Sequence, residues 1–99
     1  SSPDTNTLRQ NAEMLRDKLG SSVVLLGAVI GDRVAFVCFV SKELVPRGLH
    51  AGNIVALAAK VTGGGGGGRP DMAQAGGKEV DKLEMAMEEA RKMVEKTLL

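Results

Sequence analysis

Apolar residues recur at Leu8, Ala12, Leu15 and Leu19, the i, i+4, i+7, i+11 spacing of one helical face. Asp4 or Thr5 can cap the start, and Gly20 suits the position just past the end. The spacing therefore predicts an amphipathic helix over 5–19. Val23 to Ile30 and Val34 to Val40 are apolar almost throughout and rich in β-branched residues. Joined by Gly31-Asp32, they read as a hairpin with a tight turn. Neither run alternates with polar residues, which predicts cover on both faces. Lys42 to Gly48, containing Pro46, reads as a connecting loop. Ile54, Leu57, Ala58 and Val61 again trace a helical face, so a second helix is expected over about 50–62, with Asn53 and Lys60 left to solvent or a ligand.

Six glycines at 63–68 stop that helix. Met72 to Ala75 reads as a short strand before Gly76-Gly77. The clearest helix spans 78–98, where Val80, Leu83, Met87, Ala90 and Val94 follow a 3-4-3-4 spacing. Glu79 and Asp81 at its start and Lys96 at its end suit the helix dipole. Glu88 and Lys92 form an i, i+4 pair. The stripe covers only two heptads, so it is read as core packing rather than a coiled coil. No internal repeat is present. The expected fold class is α/β, a small sheet built on a β-hairpin with helices packed against it.

Ninety-nine residues make one domain with a small core, and 43% hydrophobic with 25% charged residues is globular composition. The chain opens Ser1-Ser2-Pro3 and its first methionine is Met14, so it reads as a piece of a longer polypeptide. No apolar stretch reaches membrane-spanning length. Cys38 is the lone cysteine and sits inside an apolar run, as a buried thiol would. That usage fits an intracellular protein.

Net charge is only +1, but it is uneven: residues 42–78 hold five bases and two acids, and residues 79–99 hold four bases and six acids. The basic excess therefore coincides with the glycine run and points to an anionic partner. Glycine sacrifices the most backbone freedom on folding, so six inside a fold call for close backbone approach to something. Phosphate is a natural candidate, since bare N–H groups in a tight loop bind anions. The run is no P-loop, because Arg69-Pro70 stands where Gly-Lys-Ser/Thr would be needed.

Catalytic chemistry is poorly supplied. One histidine, His50, and one cysteine cannot make a zinc cluster. A Cys38–His50 dyad would need a buried strand thiol to reach a helix start. Glu88 and Glu89 read as solvated helix surface. No catalytic and no metal-binding residues are assigned. There is no Trp or Tyr, and Phe36 and Phe39 fall within the hairpin, so base stacking on exposed aromatics is excluded. Any nucleic-acid binding must work through backbone, phosphate, sugar and shape.

The phrase GGGGGGRPDMAQAGGK, residues 63–78, resembles the C-terminal domain of alanyl-tRNA synthetases, a member of the DHH-associated domain family. The likeness extends to the hairpin, to Gly48-Leu49-His50-Ala51-Gly52 and to the last helix, roughly residues 20–97. It implies residues 1–20 as the end of a preceding helical or linker segment and 21–99 as a globular DHH-associated tRNA-binding domain. It implies a non-catalytic module that contacts the outer corner of alanine-specific tRNA and supports alanylation and editing. The tRNA-binding residues it implies are Gly63, Gly64, Gly65, Gly66, Gly67, Gly68, Arg69 and Lys78, with Lys60 and Arg47 as neighbours. Asp71 would cap or brace the loop, and Gly76 and Gly77 would serve turn geometry and close packing before the last helix. No cofactor belongs to this piece; ATP, Mg and an editing-domain zinc belong to the parent ligase. The implied partners are tRNA, the parent's other domains and a homodimer, with no membrane, in a cytoplasmic bacterial or organellar-type enzyme. One rival is an interaction module that dimerises through the first or last helix. The other is the substrate-binding lobe of a DHH phosphoesterase. Against that lobe, Arg69-Pro70-Asp71 stands where its branch carries Gly-Gly-His.

Overall fold

The computed structural model describes residues 4–98. Residues 1–3 and 99, the outer ends of the two expected units, lie outside the described residues. Helix α1 runs Thr5–Leu19; the Asp4 carboxylate accepts a hydrogen bond from the Thr7 N–H at 2.7 Å and caps it. Gly20 ends it at φ 73°, its N–H donating to the Arg16 carbonyl. Strands β1 (Val23–Ile30) and β2 (Arg33–Val40) form the expected hairpin, paired from Ile30↔Arg33 to Val23↔Val40. Gly31 takes φ 65° at the first turn position, which a glycine accepts without strain.

Helix α2 spans Ala51–Val61 with His50 as its cap. Strands β3 (Gly65–Gly68) and β4 (Met72–Gly77) follow, and helix α3 spans Leu83–Leu98. The sheet is antiparallel throughout in the order β1-β2-β4-β3. Its two faces carry two cores. On one face Phe36, Cys38 and Val40 meet Ile54, Val55 and Ala58 of α2 and Ala86 and Ala90 of α3. On the other, Leu8 and Ala12 of α1 meet Val24, Val37 and Phe39. The chain is thus a mixed α/β fold, a four-stranded antiparallel sheet with three helices packed on it.

Four local readings change. The glycine run expected as a loop contains a strand, because β4 offers a free ladder edge that a Cβ-free chain can join closely. Lys42–Arg47 is a short 3-10 helix rather than an irregular loop. The last helix starts at Leu83, preceded by a 3-10 turn over Val80–Lys82, because β4 carries the chain in extended form to Gly77. Glu88 pairs with Arg91 rather than Lys92, and Lys92 leans to Glu89 at 3.9 Å.

Cover of the hairpin is also unequal. β2, an inner strand, is buried on both faces, whereas β1 lies at the sheet edge and is half-buried. Phe36 and Phe39 are buried as expected. Burial pushes the Cys38 thiol up to about 12, so it stays protonated and unreactive at neutral pH.

Candidate nucleic-acid interface

Strand β3 owes its place to contacts at both ends. At its start, Thr62 ends α2 and is buried; its hydroxyl donates to the Ala58 and Ala59 carbonyls. Its own carbonyl accepts from the N–H groups of Lys78 and Glu79 at 2.8 and 2.9 Å. The Gly63 and Gly64 N–H groups donate to the Lys60 and Ala59 carbonyls. At its far end, the Pro70 and Arg69 carbonyls accept from the Ala51 and Gly52 N–H groups that open α2. His50 Nδ1 accepts from the Asn53 N–H at 3.1 Å. These amides at the two ends of α2 are therefore satisfied internally and form no phosphate nest.

The six glycines are not equivalent. Gly64, Gly66 and Gly68 point toward the α2 face. A Cβ on Gly64 would lie 1.9 Å from the Gly76 carbonyl oxygen, and one on Gly66 would lie 2.5 Å from the Ala75 Cβ. Gly66 also has φ 153°. A Cβ on Gly52 of α2 would lie 2.7 Å from the Gly68 oxygen, so helix and strand touch backbone to backbone. Gly65 and Gly67 point to the opposite face. Neither has φ in the left-handed region, and a Cβ on either would meet nothing within 4 Å. The fold does not require glycine at these two positions.

Gly65 pairs with Gly76, and Gly67 with Gln74. Alternation puts these four residues on the α1 side of the sheet, where α1 covers β1 and β2. The result is a flat shelf of exposed glycine backbone on β3, bearing Gln74 as its one side chain beyond glycine. Gly76 and Gly77 lie within β4 rather than in a turn. The close packing expected of Gly77 is present, since a Cβ there would lie 1.8 Å from the Thr62 hydroxyl oxygen.

Cations stand at both ends of the shelf. Lys60 and Lys78 are exposed, and the Thr62–Lys78 hydrogen bond brings them to the start of β3. Arg69 stands at the other end, with its side chain 74% exposed and Asp71 at 3.6 Å, the bracing expected of that aspartate. The two ends are separated by about 17 Å of extended chain. Arg47 is set apart: its neighbour Gly48 abuts Thr97 of α3, and it is Lys42, Val45 and Pro46 of its segment that share a cleft with Pro70 and Asp71.

The structure adds residues to the Arg69 end. A cleft of about 390 Å³ is lined by Arg16, Phe39, Lys42, Arg69, Asp71 and Met72, among others. The Arg16 guanidinium lies 4.7 Å from the centroid of the Phe39 ring. One sequence signal was available: Arg16 falls at i+4 from Ala12, on the inner face of an amphipathic helix, where a cation requires a partner. Among the described residues, no group of three or more His, Cys, Asp or Glu could hold a metal ion. No helix among them is long and apolar enough to cross a membrane.

Residues 1–96 match the DHHA1 domain family. The chain is 55% identical over 93 residues to the alanine–tRNA ligase of Desulforamulus reducens, covering 94% of this chain and 11% of that protein. It is 53% identical over 95 residues to the alanine–tRNA ligase of Bacillus subtilis, covering 96% of this chain and 11% of the relative. The chain thus spans about a tenth of the length of the curated relatives it matches. Its fold is similar to the crystal structure of the C-Ala domain from Aquifex aeolicus alanyl-tRNA synthetase. The TM-score is 0.77 at 38% identity, over 97% of this chain and 82% of that one.

Proposed function

Because the chain belongs to the DHHA1 domain family and to the C-Ala domains within it, we propose that it grips tRNA through the glycine shelf. The contact serves a parent alanine–tRNA ligase in the cytoplasm. The observation that carries this reading is the pair Gly65 and Gly67. Internal packing accounts for Gly64, Gly66 and Gly68 but leaves these two unexplained. A rigid partner that lies against the backbone accounts for them.

The chemistry follows from the two ends. Arg69 presents a planar fork suited to a phosphate, and Lys42 adds a point charge beside it. Lys60 and Lys78 neutralise backbone charge at the opposite end. A shelf whose one side chain is Gln74 reads shape rather than sequence, so the partner is the outer corner of folded tRNA rather than a single strand. The attachment of alanine and its correction take place on other domains of the parent, which hold ATP, Mg and zinc. Here the domain holds the tRNA body for both.

A titration tests this directly, using folded tRNA, an unstructured RNA of equal length and duplex DNA at two salt concentrations. Folded tRNA binds best, and Gly67→Val, which keeps the fold by circular dichroism, weakens that binding about tenfold, or ~1.4 kcal/mol. Arg69→Ala lowers the salt slope by roughly 0.7–0.9, one phosphate's share. Equal affinity for all three nucleic acids, or full binding by Gly67→Val, defeats the proposal.

A further inference from the structure

The cleft at the Arg69 end of the shelf is assembled from three parts of the chain. Arg16 comes from α1, Lys42 follows the end of β2, and Arg69, Asp71 and Met72 come from the turn between β3 and β4 and its exit. Its volume of about 390 Å³ falls in the ~300–1,000 Å³ range of small-ligand sites. The turn is tied on three sides. The Arg69 N–H donates to the Met72 carbonyl at 3.0 Å, the Asp71 carbonyl accepts from the Val40 N–H at 2.9 Å, and the Pro70 carbonyl accepts from the Ala51 N–H at 2.8 Å. The backbone of this wall therefore stands in place before a ligand arrives.

Three cations and two carboxylates line the cleft, and each has a different task open to it. Arg16 Nε and Nη2 both donate to Asp17 Oδ1, at 3.2 and 3.1 Å. The same guanidinium lies over the Phe39 ring, 4.7 Å from its centroid. With those two donors engaged and one face on the ring, Arg16 offers the cleft its other face, a flat cationic plane. RNA-reading sites stack splayed bases on guanidinium planes as they do on aromatic rings. Asp71 stays 3.6 Å from Arg69, beyond hydrogen-bond length, so its carboxylate retains its capacity to accept. Lys42 is exposed and supplies the positive charge in excess of the two carboxylates.

We propose that this cleft is a subsite for one guanosine phosphate unit, a site that rests on the tRNA-gripping reading and adds one base to it. The base stacks on the Arg16 plane. Its outer edge donates to the Asp71 carboxylate, which only accepts. Guanine presents two adjacent N–H donors on that edge and adenine one, so guanine is preferred. The phosphate lies between Lys42 and Arg69, and the single excess positive charge of the cleft matches one phosphodiester. Gly68 leads directly into Arg69, so one RNA strand can pass from the shelf into the cleft. The shelf reads shape, and the cleft reads one base turned out of its stack. Exposed aromatics are absent from this chain, but a guanidinium backed by a buried ring supplies an equivalent stacking surface.

Titration of the isotope-labelled 99-residue chain with GMP and with AMP, followed by amide chemical shifts, tests the subsite. GMP shifts Lys42, Asp71 and Met72 saturably and binds about fivefold tighter than AMP, a preference that Asp71→Asn removes. Arg16→Lys keeps the charge and loses the plane, and it weakens GMP binding about tenfold, with the remaining amide spectrum showing that the fold is kept. Adding folded tRNA to the GMP-saturated chain separates two sources of the same chemistry. Displacement of GMP assigns the cleft to a guanosine of the tRNA, and retention assigns it to a free guanine nucleotide. The shelf is judged separately by Gly67→Val, in which GMP binding persists whatever happens to tRNA affinity. No saturable GMP shift at these residues, equal affinity for AMP, or full GMP binding by Arg16→Lys overturns the proposal.

Discussion

The two edges of the sheet are treated in opposite ways. β1 is long and lined with valine, leucine and isoleucine; β3 is four glycines, all exposed. An edge built of side chains gains stability from what packs on it and leaves its backbone groups as a template. An edge built of glycine gains almost nothing from side chains and must be held by its neighbours. In return it lets another molecule come within backbone distance. One sheet thus offers an apolar margin and a bare one with cations at its ends.

The sharpest way to break the contrast is Gly64→Ala. The added Cβ meets the Gly76 oxygen at 1.9 Å, and backbone cannot yield cheaply. The expected cost is about 3 kcal/mol or more, read by urea unfolding. A loss below about 1 kcal/mol would mean that β3 is not held as described. Leu25→Ala on the other edge comes next. It removes a half-buried side chain packed on the α2–α3 core and costs about 2 kcal/mol. A near-neutral result would show β1 to be as little supported by its side chains as β3.

Gly67→Val sharpens the comparison from the opposite direction. With nothing within 4 Å of its Cβ, stability should change by no more than about 0.5 kcal/mol while tRNA affinity falls. A large destabilisation would make Gly67 a structural glycine like Gly64. The smallest effect concerns α1, which backs the β1 side of the sheet. The Thr7 N–H holds the Asp4 carboxyl below its ordinary value. A depressed folded value means that its contribution is present above the unfolded pKa and fades as pH falls through the folded one. Asp4→Ala should therefore lower Tm at neutral pH, with the gap to the parent chain narrowing in acid. A gap independent of pH would remove the charge from the account.

The sequence made α1 legible because its apolar residues repeat with a helical period, and the hairpin because two apolar runs rich in β-branched residues flank Gly31-Asp32. α3 was read nearly as well, apart from its start. The glycine strand was illegible for the opposite reason: without side chains there is no period to read, and its extended form comes from pairing with β4. Motif likeness directed attention to Gly63–Gly68 as a group. Separating Gly65 and Gly67 from Gly64, Gly66 and Gly68 required knowing which neighbours stand on each face. The rim was harder still. Lys60 and Lys78 stand at the same end of β3 because Thr62 ties the end of α2 to the end of β4, a contact between residues sixteen positions apart.

That tie at Thr62 bears on the entropy of binding as well. A free hexaglycine would have to be frozen each time a partner arrived, and the ordering would subtract from every binding event. Here the freezing is completed during folding, since both ends of the glycine segment are hydrogen-bonded to α2 before any ligand is present. Preorganised surfaces of this kind lose little entropy on association. The most flexible residue type in the chain forms a rigid docking plane, ready on first encounter.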